Sequence, residues 1–241
     1  MNITGPVSFA EVINYSTTFV GMERFDFFPD NLDDIFLNDH EEIKQISRAE
    51  WRQNLEMPAY YIRRDFSLDV LDYFDVKVCR DSEADMYNRA MFPIYNHTWE
   101  YVVGIVGRAI VDDIPRWKNQ TEFHKSEYLY AYWSALPHIC KSGQIVLAEG
   151  QGDIMRLWEA GIYNAVGIFG SELSESQELL LQSTGAMNII TLFDNDEAGE
   201  KCRTSCDKKL RRLFNIRHVV PVGHDVGYMK PNQIKELGLA I

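Results

Sequence analysis

From residue 141 onward the chain alternates short apolar runs with segments of helical periodicity. The runs are "QIVLA", "NAVGIF", "NIITLF" and "RHVVPV"; after them come "DIMRLWEAG", "SESQELLLQS", "EAGEKCRTSCDKKLRRLF" and "PNQIKELG". Apolar, β-branched runs of this kind are strands buried on both faces, and a helix after each strand returns the chain to begin the next one in parallel. The pattern predicts a parallel sheet with helices on both faces. Leu147, Val166, Ile190 and Val220 are expected in its core, and Gly161 and Gly238 stand where helices close in left-handed backbone.

The rest of the 241 residues divides into two further zones. Residues 58–140 read as a smaller α+β unit: a helix in "SLDVLDYF" with Ser67 as its N-cap, a hairpin of "AMFPIYN" and "EYVVGIVGRAI" joined by "NHTWE", and a helix in "EFHKSEYLYAYWSAL" stopped by Pro137. Residues 1–57 form an irregular, acidic extension in which "RFDFFPDNLDDIFLNDHEEI" mixes aromatics with acids. That segment suits a solvated layer on the core, or an acidic docking segment or lid.

A net charge of −12 excludes a protein that simply coats nucleic acid, which would be basic. Any nucleic-acid contact must use a local basic patch or bound cations. The cysteines are Cys79, Cys140, Cys202 and Cys206, with no C-x-x-C and no paired His, so no zinc site is expected and reduced thiols are. The first residues lack the basic and apolar regions of a signal peptide. No apolar run approaches the roughly 18–20 residues of a membrane span, so a soluble, cytoplasmic protein is expected.

The chemistry lies where the strands end. In open α/β sheets, ligands bind beyond the carboxyl ends of the strands. Glu149 follows the first strand with Asp153 four residues later, Asp194 and Asp196 follow the third, and Asp225 follows the fourth. Carboxylates gathered at one edge repel one another unless a cation sits among them, and Mg²⁺ or Mn²⁺ favours such oxygen ligands together with phosphates. Gly150, Gly152 and Gly170 leave room for a phosphate to approach the backbone. "DNDEAG" begins like a calcium loop, but Ala198 at its fifth position and Ser205 at its twelfth exclude that reading.

"EGQGD" followed by "DND" on successive strand–helix units resembles a Toprim domain. Upstream, "YYIRRDFSLDVLDYFDV", "NRAMFPIYN…YVVGIVGRAI" and "PRWKNQTEFHKSEYLY" resemble segments of the DnaG-type primase catalytic core, a likeness running from about Tyr60 to Asp225. The resemblance implies a Rossmann-like Toprim sheet preceded by a smaller α+β primase subdomain. It implies catalysis by Glu149, Asp194 and Asp196, with Glu149, Asp153, Asp194, Asp196 and Asp225 around Mg²⁺ or Mn²⁺. It assigns nucleotide and template contacts to Arg89, Arg108, Arg116, Asn119 and Lys125. The implied activity is synthesis of short RNA primers from ribonucleoside triphosphates on single-stranded DNA, with a replicative helicase as a separate partner, since no P-loop is present.

Several features depart from the family pattern. There is no Cys/His zinc-binding spacing, Asp65 stands for the family Gly, Gln151 for an aromatic, and Gly227 for the second acid of the third motif. "DVGYMKPNQI" resembles primases of large tailed phages, in which case the host cytoplasm is the setting. A Toprim nuclease, or a non-catalytic primase-derived module that binds helicase or single strands, are the rival readings. Lys208, Lys209, Arg211 and Arg212 make one strongly basic helix, suited to solvent or to a partner surface.

Overall fold

The computed structural model describes residues 46–53, 56–96, 98–111 and 115–239. The acidic, aromatic segment singled out within residues 1–57, residues 24–43, therefore lies outside the described residues. In chain order the elements are β1 (Ile46–Ser47), α1 (Arg48–Trp51), α2 (Ala59–Ile62), α3 (Leu68–Tyr73), β2 (Lys77–Val78), β3 (Arg89–Tyr95), β4 (Tyr101–Ala109) and β5 (Trp117–Asn119). They continue with α4 (Tyr132–Ser142), β6 (Gln144–Ala148), α5 (Gln151–Glu159), β7 (Ala165–Gly167), α6 (Glu175–Ser183), β8 (Asn188–Thr191), α7 (Glu197–Leu210), β9 (Asn215–His218) and α8 (Pro231–Lys235).

The first five strands form an antiparallel sheet in the order β1-β4-β3-β2, with β5 also paired to β4. The expected hairpin is its centre: β3 and β4 pair from Arg89–Ala109 to Tyr95–Val102, with a register shift at Ile94/Tyr95. Behind it, the wholly buried Asp75 accepts from Arg48 Nε at 2.7 Å and Tyr95 O–H at 2.7 Å, and also pairs with Arg52. A carboxylate in the interior persists only when paired and hydrogen-bonded in this way. The network ties α1 to the end of α3 and was not foreseen from sequence.

The last four strands form the expected parallel sheet, in the order β7-β6-β8-β9. Alternate side chains of one strand enter different cores. Ile145 and Leu147 pack with Ile189, Phe193 and helices α4 and α7. Val146 and Ala148 pack with Ile154, Leu157, Ile190 and, from the antiparallel unit, Tyr61, Phe92 and Tyr130. The second cluster joins the two sheets into one body. Ser67 caps α3 by accepting from Val70 N–H, and Gly161 and Gly238 take positive φ of 85° and 63°, as their positions imply.

Two expectations are corrected. The helix proposed to end at Pro137 instead begins at Tyr132 and runs through Pro137 to Ser142. Upstream, Lys125–Glu127 make a 3₁₀ turn, Tyr130 exchanges both backbone bonds with Gly167, and Ala131 takes φ of 62°. Burying Leu136 and Ile139 against the sheet outweighs the hydrogen bond that the proline removes. The last strand ends at His218, so Val220 is 43% exposed rather than in the core. β9 is an edge strand, and beyond Val219 the chain turns away from the sheet. Asp153, the third residue of α5, closes the start of that helix by accepting the N–H of its N-cap, Gly150.

Candidate active site

The strand order explains the position of the acids. The helix after β6 leads to β7 on one side, while the helix after β8 leads to β9 on the other. The crevice of the parallel sheet, where ligands bind in such folds, is therefore between the carboxyl ends of β6 and β8. Glu149 leaves β6 there and Asp194 follows β8 there; Glu149 Oε1 accepts the Asp194 N–H at 3.0 Å. Asp196 heads α7, its Oδ1 accepting from Gly199 N–H at 2.9 Å. Asp153 joins two loops, accepting Gly150 N–H at 3.0 Å and Gly227 N–H at 3.1 Å on its two oxygens. Asp225 caps the short turn Val226–Tyr228 by accepting from Tyr228 N–H at 3.0 Å.

A cleft of about 380 Å³ opens in front of these groups, Asp196 excepted. One wall is Glu149, Asp153, Asp194 and Asp225 with Gly150, Gly152 and Gly170. The other comes from the antiparallel unit and the segment after it: Arg108, Arg116, Asn119 and Lys125. Lys125 Nζ donates to the Phe169 carbonyl at 2.8 Å, which fixes its head beside Gly170. Arg108 donates to Tyr60 O–H at 2.8 Å and lies 5.3 Å from the Trp117 ring. Among the described residues, nothing beyond its chain neighbours and its own helix backbone lies within 4 Å of a Cβ imagined on Gly152, and only single polar atoms approach Gly150 and Gly170, which leaves space before this turn for a ligand.

Arg89 does not line the cleft. It is 3% exposed and donates to the carbonyls of Pro115 at 2.8 Å and Arg116 at 3.4 Å, bracing from behind the segment that carries Arg116. The structure adds residues that sequence reasoning passed over. Arg64 lines the cleft, lies 4.1 Å from the Tyr228 ring and donates to the Gly227 carbonyl at 3.4 Å. Gly227 stands where the resembled primase pattern has a second acid, and a Cβ there would meet Asp225 Oδ1 at 3.3 Å and Arg64 Nη2 and Asp153 Oδ1, each at 3.4 Å. The sequence did place Arg64 next to the departure at Asp65, which adopts φ of 60°, a conformation that Gly takes freely and Asp tolerates. Gln151 is buried at the start of α5 and lines the cleft.

The electrostatics suit a cation. Burial raises the Asp194 carboxyl to about 8, helped by Asp153, Glu149, Asp225 and Asp196. Burial likewise raises Asp153 to about 7, with Asp225 and Glu149 adding and the Gly150 N–H opposing. Glu149 is pushed up by burial and by Asp196, against the pull of the Asp194 N–H. Carboxyls that resist ionisation in one another's company are stabilised as anions when a divalent ion joins them. Ligand atoms of Asp194, Asp196 and His224 lie within 4.8 Å of one another, close enough to share one ion. The donors fit the metal that the resemblance implies.

Residues 146–227 match the family described as Toprim-like. The chain is 34% identical to the DNA primase of Halalkalibacterium halodurans over 144 residues, covering 57% of this chain and 24% of that protein. It is 36% identical to that of Aquifex aeolicus over 141 residues, covering 57% and 28%. The chain thus spans about a quarter of the length of these relatives. Among solved structures, the zinc-binding and RNA polymerase domains of the Aquifex aeolicus primase superpose with a TM-score of 0.66 at 24% identity, over 74% of this chain and 54% of that one. The RNA polymerase domain of Mycobacterium tuberculosis DnaG, in complex with a double-stranded DNA oligomer with an overhang, gives 0.67 at 21%, over 79% and 76%. The fold is that of these primase cores, a Toprim-like parallel sheet joined to an antiparallel one. Among the described residues no helix is long and apolar enough to cross a membrane.

Proposed function

We propose that this chain, a relative of the DnaG-type primases with a Toprim-like domain, is the polymerising core of a DNA primase, a DNA-directed RNA polymerase that makes short RNA primers on single-stranded DNA. The observation that carries the reading is the two-walled cleft: carboxylates from three strand ends face Arg108, Arg116, Asn119 and Lys125 across a space of about 380 Å³. A nucleotidyl transferase needs both walls, one to gather cations and one to hold polyanions. One DnaG relative of this fold was solved bound to single-stranded DNA, which suits a template running along the basic wall.

In the transfer, the 3′-hydroxyl of one ribonucleotide attacks the α-phosphorus of a ribonucleoside triphosphate, a P–O bond forms, and the α–β bond breaks to release pyrophosphate. Lys125 and Arg116 supply charge for the triphosphate, Lys125 from a head already held by the Phe169 carbonyl. Arg108 and Trp117 offer a cationic and an aromatic face for the template. Glu149 Oε1 is occupied by the Asp194 N–H, which leaves Oε2 to take the proton of the attacking hydroxyl. Asp194 and Asp196, with Glu149, Asp153 and Asp225 beside them, would hold Mg²⁺ or Mn²⁺, whose charge stabilises the attacking and leaving oxygens. Arg89 acts through Arg116 rather than on the nucleotide. A replicative helicase as partner and work in the cytoplasm follow from the same reading.

The test is extension of an annealed RNA primer on a single-stranded DNA template with labelled ribonucleotides and Mg²⁺ or Mn²⁺. The wild type extends the primer and Asp194→Ala does not. Undiminished extension by the variant removes these acids from the chemistry. Cleavage of the DNA without incorporation by the wild type would support the Toprim nuclease instead.

A further inference from the structure

We propose that His224 is a third ligand of the cation at Asp194 and Asp196, and that its imidazole biases this site toward Mn²⁺-type transition metals over Mg²⁺. The inference deepens the reading above and rests on it for the use of the site. The acids of the "DND" turn come from the end of β8, and the "GHD" turn comes from beyond β9, its parallel neighbour. The two turns are joined by backbone: Asn195 N–H donates to the His224 carbonyl at 2.9 Å, and Asn195 Nδ2 to the Gly223 carbonyl at 3.4 Å. Gly223 makes the bend possible with φ of 95°, a left-handed conformation that side chains disfavour. The result brings one ligand atom each from Asp194, Asp196 and His224 within 4.8 Å of one another.

The neighbours of His224 on its own turn do not serve this ion in the same way. Asp225 lines the cleft and caps Tyr228 through Oδ1, but among the described residues the ligand atoms that lie within 4.8 Å of one another are those of Asp194, Asp196 and His224; the next acidic position is Gly227, beside the Arg64 guanidinium. What the last strand delivers beside Asp194 and Asp196 is therefore a ring nitrogen. Mg²⁺ takes oxygen ligands and holds several waters, whereas first-row transition ions accept an imidazole nitrogen more readily, Mn²⁺ the least strongly among them. Two carboxylates plus one imidazole thus separate metals that two carboxylates alone would treat more evenly.

The probe is Mn²⁺ itself, added to the full chain. Pulsed electron paramagnetic resonance of bound Mn²⁺ detects a directly coordinated ¹⁴N, and competition with Mg²⁺ gives the relative affinities. The wild type is expected to show the nitrogen coupling. His224→Gln should lose it and bind Mn²⁺ roughly 10-fold or more weakly, as expected for a lost metal-site partner, with Mg²⁺ affinity nearly unchanged. His224 is exposed, so the variant's circular dichroism and melting serve as the folding check. A wild type without nitrogen coupling, a coupling that survives in His224→Gln, or equal losses for both metals would overturn the proposal. Primer extension without the coupling sinks this inference alone; the coupling without primer extension sinks the primase reading and leaves the metal site standing.

Discussion

Replacing Gly199 with alanine tests whether the site depends on one close approach. Gly199 lies in the first turn of α7, directly against the peptide that carries Asp194. A Cβ there would overlap the Asp194 carbonyl oxygen and stand 2.8 Å from its carbonyl carbon and 3.0 Å from its nitrogen. Ordinary contact between such atoms is about 3.5 Å or more, so either α7 or the Asp194 peptide must move by on the order of 1 Å. The obstacle is backbone, and no side-chain rotation relieves it. Overpacking of this kind costs about 1–3 kcal/mol, which in a chain of this length lowers Tm by roughly 2–10 °C. The same shift displaces Asp194 from Glu149 and Asp196, and a misplacement of about 1 Å at a reacting centre costs roughly 100-fold in rate. Gly152→Ala is the contrast: among the described residues nothing beyond its chain neighbours and its own helix backbone lies within 4 Å of the added carbon, and it sits inside α5. There alanine should hold or raise Tm, since Gly in a helix is about 0.5–1 kcal/mol worse than Ala. Scanning fluorimetry and primer extension measure both effects. A Gly199→Ala protein with wild-type Tm and rate would refute the steric reasoning.

Other perturbations have defined outcomes. Asp194 and Asp153 titrate near 8 and 7 in the fold but near 4 in an unfolded chain, so between about pH 4 and pH 8 the folded state binds more protons. The stability of the metal-free protein should therefore fall as pH rises through that window, and saturating Mn²⁺ should remove the decline; urea titrations at several pH values with and without the metal measure it. Asp75→Ala strips the shared partner from Arg48, Arg52 and Tyr95 and should cost about 3–5 kcal/mol, read as a drop in urea midpoint. Lys125→Gln removes a charge from the triphosphate wall and should lower kcat/KM for ribonucleotides about 10–150-fold, the worth of a charged hydrogen bond, while leaving Tm nearly unchanged. A steady-state nucleotide titration checks it.

What the sequence could convey follows from the range of each interaction. Glu149, Asp194 and Asp225 were legible because each interrupts or follows an apolar run, and the parallel sheet was legible because four such runs alternate with helices. Pro137 and Val220 misled because local preference was overruled: α4 keeps its proline to bury its neighbours, and β9 stops early at a sheet edge. Arg89 carries the right charge at a position that resembles a basic one of the primase core, but its guanidinium is turned inward to two carbonyls, which only the packing shows. His224 was present in the quoted "GHD", yet its closeness to Asp194 depends on β9 lying beside β8, a fact of sheet order. The Asp75 network is nonlocal too: its partners come from α1 and β3, in separate stretches of chain.

The most direct measurement of the central claim is a crystal structure of the protein with Mn²⁺ and a non-hydrolysable ribonucleoside triphosphate, with data collected at the manganese edge. The expected result is anomalous density at Asp194 and Asp196 and a triphosphate lying between that density and the side chains of Arg108, Arg116 and Lys125, all of which, apart from Asp196, line one cleft. Manganese bound elsewhere with these carboxylates empty, or a triphosphate seated away from the basic wall, would contradict it.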